Sequence, residues 1–192
     1  GWSPRTAGMA EELGTVWASH AVSTEWARLR AVLLHRPGPE LCEIPDADAV
    51  QMLDLPDAAV AAAQHDGMAA AFREAGVAVH YVEPEGVPRP NQMFLADLLV
   101  MSPEGAILAR PASMVRAGEE REVARRLAAL GTPILRSIRG TGVFEGADAM
   151  WLDPKTLLLG IGLRTNAQAA AQICALMAEM GIEVIPVTLP YG

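Results

Sequence analysis

Three times along this chain a helix-spaced stretch ends on a glycine and passes at once into an apolar run. The glycines are Gly76, Gly131 and Gly181. A residue without a Cβ closes a helix easily, because it accepts the left-handed backbone angle needed there. The runs that follow, Val77–Val82, Pro133–Ile138 and Ile182–Leu189, read as strands. The helices before them are predicted over Asp57–Glu74, Glu119–Leu130 and Asn166–Met180. In the first, Val60, Gln64, Met68 and Phe72 recur every four residues, and Asp57 after Pro56 can cap the start. Two apolar runs precede each later helix. Met93–Met101 and Ala106–Arg110 turn about Ser102-Pro-Glu-Gly105, while Ala149–Leu152 and Thr156–Ile161 turn about Asp153-Pro154. Hairpin, helix, strand therefore occurs twice. The N-terminal part adds the strand Ala31–His35, stopped by Arg36-Pro-Gly-Pro39, then a helix and a strand. This is an internal repeat of secondary structure with little sequence identity. Such units form α/β layers in which helices cover each sheet.

At 192 residues, 51% of them hydrophobic, the chain can bury a real core. Aromatics are few, so Leu, Val, Ala, Ile and Met must fill it. The formal charge of -8 at pH 7 argues against a nucleic-acid surface, and an acidic pocket would attract cations. No apolar run approaches membrane-spanning length, and no secretory signal is visible. No nucleic-acid or membrane partner is expected. Residues 1–24, with Trp2 and Trp17, read as a flexible arm with one short helix, and 25–192 as the folded domain. Cys42 falls in a loop running to Pro56, and Cys174 on the apolar face of a helix. Neither has metal-ligand spacing, so no metal and no cofactor is expected. Cys174 reads as a small buried hydrophobe and Cys42 as a free surface thiol, with a reducing cytoplasm as the default location.

Three polar motifs interrupt the strand-like runs: Asn91-Gln-Met-Phe-Leu-Ala-Asp97, Glu145-Gly-Ala-Asp148 and Gly162-Leu-Arg164-Thr-Asn166. Acids and amides among apolar residues are costly to bury without partners. Asp97, read as lying inside a strand, is either a bidentate acceptor for a guanidinium group or the partner of one of the protein's own arginines. Asn91 after Pro90 is also an ordinary turn signal. Glu145 could orient a histidine base and Asp148 could hold a substrate nitrogen; the pair also fits an acidic turn. Gly146 and Ala147 leave room for a ligand or another backbone. Asn166 is a good helix cap, and Arg164 beside it stands where a carboxylate would be favoured. Arg110 and Arg116 follow the second hairpin strand and could be surface residues. His20, His35, His65 and His80 show no metal spacing and read as structural.

Taken in order, these residues resemble the guanidino-group-modifying superfamily of arginine deiminases, dimethylarginine dimethylaminohydrolases and amidinotransferases. The matching pieces are Leu33-Leu-His-Arg-Pro-Gly38, His65-Asp66, Asn91 with Asp97, Glu145 with Asp148, and Arg164-Thr-Asn166, spanning residue 25 to the end. The resemblance implies a pentein fold, an α/β propeller of five ββαβ units around a central site, of which about three are present here. It implies a cysteine thiolate that attacks the guanidinium carbon and a histidine that acts as general acid and base. By position, Asp97 and Glu145 would be catalytic. Asp97 would clamp the guanidinium nitrogens and Glu145 would orient the histidine, with Asp148 close by. Arg164 and Arg116, with Asn91, would bind the substrate's carboxylate end.

Ala96 stands where the family often carries an arginine or an acid. The family's histidine and cysteine positions lie past Leu189-Pro-Tyr-Gly192. The expectation is therefore an N-terminal enzyme fragment, inactive alone, that acts on arginine or a related small guanidino compound. Its exposed edges would meet the missing C-terminal segment or a second copy. The alternative is a non-catalytic pentein-like binding module.

Overall fold

A computed structural model describes residues 1–42 and 44–190. Glu43, within the loop read from Cys42 to Pro56, and Tyr191 and Gly192, which follow the last strand, lie outside the described residues. The elements are α1 (Met9–Glu12), β1 (Ala31–Leu34), α2 (Ala58–Glu74), β2 (Ala78–Tyr81), β3 (Leu99–Ser102), β4 (Gly105–Leu108), α3 (Glu119–Ala129), β5 (Ile134–Ser137), β6 (Ala149–Asp153), β7 (Thr156–Ile161), α4 (Ala167–Glu179) and β8 (Glu183–Thr188). Each predicted helix forms within a residue or two of its predicted ends. Gly76, Gly131 and Gly181 take φ of 76°, 72° and 69°, the left-handed angle that ends each helix. Asp57 and Asn166 cap α2 and α4 by accepting from the backbone N–H groups of Val60 and Ala169.

Among the described residues the strands fall into three separate sheets, none of which closes on itself: β1-β2, β3-β4-β5 and β6-β7-β8. In the second and third, the middle strand pairs antiparallel with its hairpin partner and parallel with the strand after the helix. A parallel pair needs a long crossover, and α3 and α4 supply it. The first sheet is one parallel pair joined through α2. The architecture is mixed α/β, a strand, helix, strand piece followed by two copies of a hairpin, helix, strand unit.

One predicted element changes. The strand expected from Met93 begins only at Leu99, and Leu95–Asp97 form a single 3-10 turn. The carbonyls of Asn91 and Phe94 serve the turn and Arg116 instead of a strand ladder. Gly146 also packs against this turn. A Cβ at that position would lie 2.5 Å from the carbonyl oxygen of Ala96 and 2.1 Å from that of Leu99. The small Gly146 thus admits another backbone, one of the two readings its size allowed.

Phe144, Ile107, Leu157, Leu159, Ile173 and Met177 are fully buried and join the second and third units in one core. Leu98, Val123 and Leu127 anchor a second cluster under α3. A pair of backbone hydrogen bonds between Arg110 and Phe144 ties the two units together beside that core. Residues 18–25 run along the sheets: Ala18 N–H donates to Gly131 O, Val22 N–H to Ser102 O, and Glu25 accepts from Trp151 N–H. No helix among the described residues is long and apolar enough to cross a membrane.

Candidate active site

The repeat puts its charged residues at equivalent places. Asp97 ends the 3-10 turn before β3, and Asp148 ends the turn Gly146–Asp148 before β6. Arg116 lies between β4 and α3, and Arg164 between β7 and α4. Because each hairpin returns to its starting end, acid and arginine of both units gather at one end of the sheets. The chain packs the two ends together through Gly146.

Arg116 is the hub. It closes the 3-10 turn Met114–Arg116, capped by the Ser113 hydroxyl, and only 6% of its side chain is exposed. Nη1 donates to Asp97 Oδ2 at 2.5 Å and lies 3.9 Å from Glu145 Oε2. Nε donates to Glu119 Oε2 at 2.9 Å, and Nη2 donates to Phe94 O at 3.1 Å. The Phe94 ring flanks the guanidinium, with 5.9 Å between its centroid and Cζ. Burial disfavours the Arg116 cation, but Glu119 and Asp97 together outweigh it and hold its pKa above the ordinary value. Burial pushes the Glu119 carboxyl up to about 7, against the pull of Arg116.

The other members attach to this hub. Glu145 is buried, and its Oε2 accepts from Arg164 Nη1 at 2.9 Å. The hydrogen bond and charge of Glu145 raise the Arg164 pKa. Thr165, fully buried, donates its hydroxyl to Asp148 Oδ2 at 2.5 Å and accepts from the Glu145 backbone N–H. Asp97, Glu145, Arg116 and Arg164 therefore form one connected network, and Asp148 joins it through Thr165. Asn91 stands differently. Its Nδ2 donates to Val50 O at 2.8 Å, and only its backbone carbonyl faces Arg116, accepting from Nη2 at 3.5 Å. Asp97 pairs with one of the protein's own arginines, the second of its two sequence readings. Arg116 is buried and so is not a surface residue.

Glu119 and Thr165 were not singled out in the sequence. Glu119 looks like any acid in the first turn of a helix, although its spacing of three from Arg116 is a detectable pair signal. Thr165 is hidden between two more conspicuous neighbours. Two other motifs meet away from this cluster. Arg36 after β1 forms a two-pronged pair with Asp66 of α2, at 2.7 and 2.8 Å, on an exposed surface.

None of the hydrogen bonds of Asp97, Glu145 or Asp148 among the described residues involves a histidine or a cysteine. His35 is buried against Val82 O, and His20 pairs with the Thr132 hydroxyl. Cys42 is exposed, and burial pushes the Cys174 thiol up, away from thiolate chemistry. A cleft of about 340 Å³ at the start of α3, lined by Arg89, Gln92 and Arg121 among others, includes none of the site acids.

A family model described as N,N dimethylarginine dimethylhydrolase, eukaryotic, matches residues 54–189, which hold every member of this network. The chain belongs to this dimethylarginine dimethylhydrolase family. Curated relatives agree. Over 130 residues the chain is 26% identical to the N(G),N(G)-dimethylarginine dimethylaminohydrolase of Pseudomonas aeruginosa, covering 68% of this chain and 50% of that protein. Over 64 residues it is 47% identical to an arginine deiminase of Clostridium perfringens, covering 32% of this chain and 16% of the relative. The chain thus spans half or less of the curated relatives it matches.

Solved structures of the same fold include a dimethylarginine dimethylaminohydrolase carrying an adduct with S-methyl-L-thiocitrulline. It matches with a TM-score of 0.71 and 23% identity over 84% of this chain and 62% of that one. The N-terminal domain of ArgZ, a cyanobacterial arginine dihydrolase, bound to substrate, matches with a TM-score of 0.69 and 20% identity over 83% and 58%. SxtG, an amidinotransferase of saxitoxin biosynthesis from Microseira wollei, matches at 0.63 and 14% over 88% and 62%. At these identities the likeness concerns the fold. For this dimethylarginine dimethylhydrolase family member, the fold and the charged network stand together.

Proposed function

We propose that this chain supplies the guanidinium-recognition part of an enzyme that modifies the guanidino group of arginine or a related compound. The observation that carries the reading is the place of Arg116. The protein's own guanidinium rests on Asp97 at 2.5 Å, with Glu145 3.9 Å away. Acids arranged to hold an arginine side chain can hold a ligand's guanidinium by the same charge-assisted hydrogen bonds. Asp97 clamps the ligand's guanidinium nitrogens, Glu145 orients an imidazole, and Asp148 holds a further nitrogen. Arg164 and Arg116, with Asn91, receive the carboxylate end. Anions meet the cationic head, and cations meet the anionic tail.

The chemistry that fits is nucleophilic. A cysteine thiolate adds to the guanidinium carbon, and the C–N bond to the leaving amine breaks as a histidine protonates that nitrogen. Water or an acceptor amine then adds to the thiouronium carbon, and the thiolate leaves. Neither Cys42 nor Cys174 touches the network, so the thiol and imidazole belong to residues other than those described. The three units form part of a five-unit propeller, with residues 1–24 as an arm beside it. The same absence of a thiol contact favours a second reading, a binding module without turnover.

Calorimetric titration of the 192-residue chain with L-arginine and N,N-dimethyl-L-arginine tests this, paired with an assay for released ammonia or dimethylamine. Binding without release is expected. Failure to bind either compound would overturn the reading, and release by this chain alone would overturn the placement of the nucleophile. A longer native protein that binds but never releases amine would favour the module.

A further inference from the structure

Glu119 has no ordinary reason to be where it is. Its side chain is fully buried. Oε2 serves Arg116 Nε and Nη2, each at 2.9 Å, while Oε1 meets no donor among the described residues. A buried carboxylate with one oxygen unpaired is costly. An acid at a helix start usually serves the free backbone N–H groups, but here Glu120 accepts from Gly118 N–H at 3.0 Å. The helix already has its acid.

The repeat provides an internal comparison. Three residues after Arg164, at the place corresponding to Glu119, stands Ala167. Arg164 lacks that anchor, and its side chain is 55% exposed, against 6% for Arg116. Of two arginines at equivalent positions, the one with an acid three residues on is the buried one.

We propose that Glu119 is a positioning residue, which grips the Nε edge of Arg116 and so directs Nη1 onto Asp97. Taking the guanidinium-recognition reading above as its basis, this assigns Arg116 a partner exchange. A guanidino acid brings a guanidinium for Asp97 and a carboxylate for Nη1. One internal ion pair gives way to two, while Nε stays on Glu119. Arg164 is held through Nη1 by Glu145, and its other nitrogens, which have no partner among the described residues, can meet the same carboxylate.

The test uses chain labelled with ¹⁵N-arginine. Above pH 7, where Glu119 is ionised, the Arg116 Nε–H signal should exchange slowly with water in the wild type and about tenfold faster in Glu119→Gln, the ion pair being replaced by a weaker bond to a neutral amide oxygen. Glu119→Asp keeps the charge one methylene short and should fall between the two; it decides the matter if the Gln variant does not fold. Exchange as slow as wild type in the variants would overturn the proposal. In titrations with L-arginine, Glu119→Gln should weaken binding by about tenfold, and this effect should vanish in an Arg116→Lys background. An equal loss in both backgrounds would mean that Glu119 acts through the fold and not through Arg116. A wild-type chain that binds no L-arginine would defeat the functional reading, leaving the Nε–H exchange to decide the grip by itself.

Discussion

Arg164 Nη1 donates to Glu145 Oε2 at 2.9 Å, joining an arginine that is 55% exposed to a carboxylate that is 4% exposed. The pair straddles the boundary between solvent and interior. Its acid is fixed by burial, and the exposed edge of its arginine can meet a ligand while Nη1 stays on Glu145.

Glu145 is buried and keeps only the more distant Arg116 once Arg164 is cut back, so Arg164→Ala should lower the urea midpoint, at a cost of about 1–3 kcal/mol. Binding of L-arginine should weaken by about tenfold or more, through loss of a charge-assisted contact to its carboxylate. Methylguanidine, which has no carboxylate, should bind as before. Equal losses for both compounds in calorimetry would show that Arg164 acts on the head of the ligand.

Gly146→Ala is a steric test. The added Cβ would meet two carbonyl oxygens of the 96–99 segment, at 2.5 and 2.1 Å, and backbone atoms cannot swing aside. A cost of about 2–3 kcal/mol is expected in urea unfolding, within the range for overpacked interiors. Because the contact sets Asp97 against Glu145, guanidinium binding should fall as well. A variant as stable as the wild type would show that the two turns do not touch.

Glu119 should leave a mark on the pH dependence of stability. Burial raises its carboxyl from an ordinary 4.5 to about 7. The nearby charges acting on it are Arg116 and Arg89, which favour the anion, and Glu120, which opposes it. Between those values the folded chain holds a proton that the unfolded chain has released. This contribution is complete below 4.5, declines as pH rises, and is lost above about 7. Glu119→Gln should remove the decline. Urea unfolding at pH 5 and pH 8 reads it as a smaller difference for the variant; an unchanged difference would place the titration elsewhere.

Phe144 is fully buried in the core shared by the second and third units, and its backbone pairs with Arg110. Phe144→Ala should cost about 3–5 kcal/mol. The fluorescence of Trp151, in the same cluster, should report the loss in the same transition as circular dichroism. A separate, earlier Trp151 transition would mean that the two units unfold independently.

Much of this could be read from residues alone. The glycine after each helix, the caps Asp57 and Asn166, and the hairpin turns act over a few residues, and the structure forms each of them where local chemistry asks. The five family-like pieces led to a superfamily that the family match supports. The turn at Asp97 was hidden, because its apolar neighbours have the composition of a strand. The carbonyls of Asn91 and Phe94 accept from the N–H groups of Phe94 and Asp97 within the turn, and the distant Arg116 shares both.

Contacts between near neighbours set all the elements but the turn at Leu95–Asp97, together with their repeated order and the charged residues at the loop ends. Tertiary structure alone decided which charges meet. It put Arg116 on Asp97, turned the Asn91 side chain toward Val50, and buried Glu119 behind the arginine. Partners 19 and 41 residues apart leave no periodic trace in a chain. They meet because burial makes an unpaired charge or amide costly enough to select its partner.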